Sequence, residues 1–222
     1  MTLVSLKTGD ENNANLLKIE LSDGSSLKIK DFYLNSHYNS SVSWESYSSF
    51  EPGREISSDE EEAFRFSADC YKAERAGTRL IARAEQTQAG LSRKLETRGH
   101  DPACVRAVMD WFVETDLVND ERYAERWLRS RLSRKSGKIP GPRRLSLALG
   151  NRGIAREALR SAFDKILDED TEFALLERFM AKDRSGKMTG SYSLRGRLKY
   201  EGFSSPAINR YFDEATDKNS LF

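Results

Sequence analysis

Between Asp120 and Leu145 the chain reads DERYAERWLRSRLSRKSGKIPGPRRL. Arg122, Arg126, Arg129, Arg131, Arg134, Lys135, Lys138, Arg143 and Arg144 crowd against only Asp120, Glu121 and Glu125, in a chain of 222 residues with a formal net charge of +1. Guanidinium and ammonium groups at this density hold anions, phosphate or carboxylate, through charge-assisted hydrogen bonds. Wound as a helix, Arg122, Arg126 and Arg129 fall within about 60° of one another. Tyr123, Ala124, Trp127, Leu128 and Leu132 form a broad arc on the other side, so the aromatic residues read as core and not as base-stacking rings. Arg131 falls inside that apolar arc and is expected to be a structural tie, snorkelling outward or meeting a carboxylate or carbonyl. Pro142 suits the first position of the next helix. Arg143 and Arg144 follow at once, where cations oppose the helix dipole. That placement argues against a stabilising role and for an anion met jointly by backbone N–H groups and guanidinium groups. The candidate binding surface is therefore Arg122, Arg126, Arg129, Arg134, Lys135, Lys138, Arg143, Arg144, Arg152 and Arg156.

Catalysis has little to draw on. His37 lies in a Ser-rich stretch, and His100 follows a glycine placed to end a helix, where it should face solvent. GKIPG and RSGKMTG lack the spacing of a phosphate-binding loop. The acids at 59–62 and 168–170 stand where helices begin and read as caps. Cys70 and Cys104 form no CxxC and are expected to be reduced and half-buried, with neither a bridge nor a metal between them. No metal-ligand spacing and no cofactor motif is present, so a non-enzymatic binding protein is expected. The chain has no run of eighteen apolar residues and no secretory pattern near its start, which points to the cytoplasm with no membrane partner.

The elements that carry the basic run are helical. Hydrophobic content is 38% and charged content 32%, a balance suited to slender helical modules with much surface for their volume. Charge is polarised: residues 1–62 carry −7, 63–119 carry +1, 120–160 carry +8 and 161–222 carry −1. A motif of two leucines four apart, then a glycine, recurs as Leu91, Leu95, Gly99; Leu145, Leu149, Gly153; and Leu194, Leu198, Gly202. Each glycine is followed at +6 and +10 by apolar residues: Val105 and Met109, Leu159 and Phe163, Ile208 and Phe212. The leucines make the buried stripe of a short helix, and the glycine takes the left-handed position that ends it. A longer helix precedes each pair, over about 59–84, 120–134 and 169–183. The reading is mainly α: three-helix repeats at 58–118, 119–167 (the basic one) and 168–222, behind a strand-rich or irregular segment at 1–57. In that segment LLKIELSDGSSLKIKDFYL alternates around Asp23-Gly24 as a hairpin, with Ile19 and Leu21 on one face of a strand and Leu27 and Ile29 on the next. The following SHYNSSVSWESYSSFEPG has no helical period, and Trp44 and Phe50 are candidate anchors. A lone hairpin is marginal in water, so it must dock on the helices or on a partner.

The stretch LVNDERYAERWLRSRLSRKSGKIPGPRRLSLALGNRGI resembles the central signature of the RecX family, bacterial regulators of the RecA recombinase. Leu117, Asp120, Tyr123, Ala124, Arg129, Arg131, Gly141, Pro142, Arg144, Leu149, Gly153 and Ile154 stand at matching positions, with Asn119 where the signature has its first Asp. The likeness extends over about 51–215, and the hairpin is similar to the variable lead-in of longer members. It implies three tandem three-helix repeats in an elongated, curved array. It also implies a monomer that binds the RecA–DNA filament in its groove and opposes filament growth, so that ATPase, strand exchange and coprotease activity fall. An alternative from another class is direct binding of single- or double-stranded DNA through phosphates, with affinity falling steeply with salt. A purely structural scaffold is the third.

Overall fold

The computed structural model describes residues 1–8, 16–37, 51–134, 140–182 and 193–220. Trp44, Phe50, Lys135 and Lys138 lie outside them. The chain divides into two compact units, Met1–Gln86 with Gly90–Val118, and Thr87–Ala89 with Asn119–Phe222.

The first unit opens with an antiparallel sheet of β1 (Leu3–Thr8), β2 (Leu16–Leu21) and β3 (Ser26–Lys30), in that order. The hairpin forms at Asp23-Gly24 as its sequence predicts. Gly24 takes a φ of 83° and the Asp23 carboxylate accepts the Ser25 N–H at 2.8 Å. Register pairs Leu17 with Ile29 and Ile19 with Leu27. Leu17, Ile19, Leu21 and Ile29 are buried, whereas Leu27 is only half-buried. The sheet has a third strand beyond the expected hairpin. β1 pairs with β2 from Leu3↔Leu21 to Thr8↔Leu17, with an irregularity between Leu3 and Ser5.

Helix α1 (Asp31–His37) follows, then α2 (Ser58–Arg83), α3 (Gln88–Glu96) and α4 (Pro102–Glu114). A capping box starts α2: the Ser57 hydroxyl accepts the Glu60 N–H and the Glu60 carboxylate accepts the Ser57 N–H, which satisfies two orphan donors. The sheet's apolar face closes over Ala63, Phe64 and Ala68 of α2. Burial of a side chain such as Phe64 contributes roughly 1.5–3 kcal/mol. Glu74 of α2 accepts from Lys30 Nζ at 2.6 Å and from Tyr33 Oη at 2.9 Å. Burial and that carboxylate push the Tyr33 phenol far above its usual range. Cys70 and Cys104 are free and both fully buried, not half-buried. They lie on the facing sides of α2 and α4, where the neighbouring Cys104 thiol, and then burial, push Cys70 upward. His100 is half-buried instead of solvent-exposed.

The second unit contains α5 (Asp120–Leu132), α6 (Pro142–Gly150), α7 (Arg156–Ile166), α8 (Glu169–Lys182), α9 (Leu194–Tyr200) and α10 (Ser205–Ser220). Its core gathers Ala124, Leu128, Leu145, Leu149, Leu176, Leu198 and Ile208 among others. Gly99, Gly153 and Gly202 all adopt positive φ, of 84°, 83° and 92°. His100 and Phe203 donate back to Leu95 and Leu198 carbonyls at 3.2 and 3.1 Å, the bond that closes a helix end. Leu194, the first leucine of the third motif, is 37% exposed and does not join the core. It sits at the first position of a seven-residue helix, one turn short of where the stripe is covered.

Candidate functional site

Helix α5 begins at Asn119, whose side chain accepts the Arg122 N–H at 2.9 Å. Asp120 is buried and accepts the Gln88 N–H at 2.9 Å, a contact within the second unit. Burial raises its pKa, while the Gln88 N–H pulls the other way. Glu121 and Glu125 both reach Lys165 of α7, and Glu121 also accepts from Ser161 at 2.6 Å. Lys165 and Ser161 hold the Glu121 carboxyl below its usual value, and the two carboxylates hold Lys165 above its own. The three acids of the basic run are therefore mostly committed to helix packing. Glu125 also meets Arg129 at 3.5 Å.

On the same helix Arg126 and Arg129 are exposed and Arg122 is half-buried. Leu128 and Ala124 are buried, with Tyr123 and Trp127 packed on the core from its margin. Among the described residues Arg131 finds neither carboxylate nor carbonyl as its main tie. Its guanidinium lies 4.9 Å from the centre of the Trp127 ring, and Arg152 lies 5.1 Å from the same ring. Arg152 also donates to the Ala148 carbonyl. A π-face attracts a cation, so an Arg in an apolar arc can be satisfied without an acid. The last carbonyls of α5 are served by Arg178 of α8, which donates to Leu132 O at 2.6 Å and to Arg134 O. The Arg134 side chain points to solvent, as does Arg156 at the first position of α7.

The second half of the run closes on α9. Gly141 and Pro142 are buried at the start of α6. The Arg143 N–H donates to the Glu201 carbonyl at 2.9 Å, so the first turn of α6 caps the end of α9. A Cβ on Gly141 would lie 2.7 Å from the Glu201 carbonyl oxygen, and one on Gly202 would lie 2.7 Å from the Arg143 nitrogen. Both glycines are required by backbone approach. Glu201 is only 8% exposed, and its carboxylate pairs with Arg144 Nε at 3.3 Å. The anion expected opposite the start of α6 is thus supplied in part by the chain itself. The Arg143 guanidinium stacks over the Tyr200 ring at 4.2 Å. Tyr200 is 67% exposed and Leu147, one turn after Arg143, is 64% exposed. Tyr200 and Glu201 were not among the residues singled out from sequence. Their signal is a charge reversal: Arg98 and Arg152 precede the first two motif glycines, whereas Glu201 precedes the third.

Among the described residues no group of His, Cys, Asp or Glu could hold a metal ion, and no helix is long and apolar enough to cross a membrane. Arg126, Arg129, Arg143 and Arg156 are exposed, and the exposed Tyr200 ring stacks on Arg143.

No family model matches the chain. A regulatory protein RecX of Halorhodospira halophila is 38% identical over 99 residues, which are 45% of this chain and 54% of that protein. The chain thus aligns with only about half the length of that relative. The regulatory protein RecX of Treponema pallidum is 30% identical over 146 residues, 65% of this chain and 86% of that one. A crystal structure of a regulatory protein RecX superposes with a TM-score of 0.64 over 96% of this chain and 98% of that chain, at 15% identity, a likeness of fold alone.

Proposed function

This chain belongs to the RecX family of regulatory proteins, and on that premise we propose that it regulates a RecA recombinase by lying in the groove of the RecA–DNA filament and limiting its growth. Occupying the groove blocks the movements and additions that filament growth requires, so ATPase, strand exchange and coprotease activity fall together. No covalent step is involved. Three tandem three-helix repeats, at 58–118, 119–167 and 168–222 behind the segment 1–57, serve as the body of this regulator, acting as a monomer in the cytoplasm.

The observation that carries the reading is the division of α5. Ala124 and Leu128 are sunk in the core while Arg126 and Arg129 stand exposed on the same helix. Exposed arginines on α5, with an exposed Tyr200 stacked on Arg143 at the start of α6, are of the residue types enriched in binding hot spots. Arg126, Arg129, Arg143 and Arg156 contact the filament. Arg144 and Arg152 hold the surface in place through Glu201 and Trp127.

The test is a charge reversal that leaves Arg144 and Arg152 in place. Arg126→Glu, Arg129→Glu and Arg156→Glu together should abolish inhibition of the recombinase's DNA-dependent ATPase while the circular dichroism melt stays cooperative. Full inhibition by that folded variant would remove this surface from the function.

A further inference from the structure

Helix α2 carries five bases, and they fall into two groups. Arg65 pairs with Glu61 at 2.9 Å and with Asp23 at 3.1 Å, and Lys72 pairs with Asp69 at 2.8 Å. Arg75, Arg79 and Arg83 are exposed, and no described residue pairs with any of them. They stand one helical turn apart on one face, spanning about 12 Å at a rise of 1.5 Å per residue. Like charges at this spacing weaken a helix. Only Arg83, in the last turn, is repaid by the helix dipole. The nearest acid on the helix, Glu74, is already taken by Lys30 and Tyr33.

What covers such a stripe is decided by what surrounds it. None of the large exposed apolar residues belongs to α2, whereas protein interfaces are anchored by aromatic and aliphatic side chains at their centre. The opposite side of α2 is buried, under the sheet at Ala63 and Phe64 and against α4 at Gly77, where a Cβ would lie 2.6 Å from the Phe112 ring. The stripe is a single row of cations, with no second row beside it to meet the second backbone of a duplex. It can follow one strand, offering a guanidinium every turn to successive phosphates.

We propose that Arg75, Arg79 and Arg83 form a binding stripe for the phosphate backbone of single-stranded DNA, in the first unit and separate from the basic surface of α5 to α7. The proposal does not depend on the filament reading, because its ligand is bound without recombinase. The full-length protein is titrated into a fluorescent thirty-nucleotide oligo-dT at several salt concentrations. The variant Arg75→Gln, Arg79→Gln, Arg83→Gln should bind more weakly, by tenfold or more at low salt. Its plot of log affinity against log salt should be shallower by about 2, since each single-strand phosphate contact contributes about 0.7. An unchanged slope in the folded variant overturns the proposal, as does failure of the unaltered protein to bind the oligonucleotide at low salt. A duplex bound as tightly as the single strand through these arginines, or polyglutamate bound as tightly as oligo-dT, also overturns it.

Discussion

Arg143 and Arg144 at the start of α6, and Arg75 and Arg79 in α2, are arginines one turn or less apart that oppose local helix electrostatics. Their surroundings differ. The α6 pair is answered inside the chain, by the Tyr200 ring at 4.2 Å and the Glu201 carboxylate at 3.3 Å. The α2 pair has no described answer. An arginine cluster in a sequence therefore marks a demand for negative charge or a π-face, and only the fold says whether the demand is already met. Where it is met, the residue belongs first to stability. Where no described residue meets it, the charge is left to solvent or to an external anion.

The largest expected effect tests the met side. Gly141→Ala should destabilise the second unit by about 2–3 kcal/mol, because its Cβ would meet backbone of α9 that cannot give way. A thermal melt would show it, and an unchanged midpoint would mean that the two helix ends separate freely. The triple glutamine substitution in α2 should leave that midpoint unmoved or slightly raised, having removed repulsion and no contact. Glu201→Gln is expected to be milder, below about 1 kcal/mol, because the Arg144 side chain is about half exposed and solvent screens the pair. A loss of several kcal/mol there would instead make the carboxylate the main lock of the clasp.

The smallest effect concerns pH. Burial raises the pKa of Asp120 in the fold. Its contribution is then fully present below the unfolded value of about 3.9 and is lost as pH rises through the raised folded value. Asp120→Asn keeps an acceptor for the Gln88 N–H and cannot ionise. Its midpoint should exceed the parent's slightly at pH 7 and match it near pH 3. A variant less stable at pH 7 than at pH 3, relative to the parent, would show that the carboxylate charge strengthens that contact. Glu121 has the opposite sign: its lowered value stabilises above the unfolded range and the tie to Lys165 weakens on acidification.

Much of the secondary structure was legible because it is written locally. The capping sequence before α2, the paired leucines, the helix-ending Gly99, Gly153 and Gly202, and the Asp23-Gly24 turn all act within a few residues. The split of α5 into a buried arc and an arginine face follows from helical period alone. β1 was missed because a short alternating stretch declares itself a strand only when β2 pairs with it. Leu194 was assigned to the core because its motif matches, yet its exposure depends on which neighbours reach the start of α9. The site divides the same way. Sequence by itself determined that basic residues gather on α5 and the start of α6. Tertiary structure alone decided that Arg144 meets Glu201, fifty-seven residues on, and that Arg131 and Arg152 share Trp127. It also decided that Arg75, Arg79 and Arg83, in a segment whose charge nearly cancels, have no partner among the described residues. Net charge sums over residues wherever they point, while a binding surface depends on which charges the folded chain has already paired.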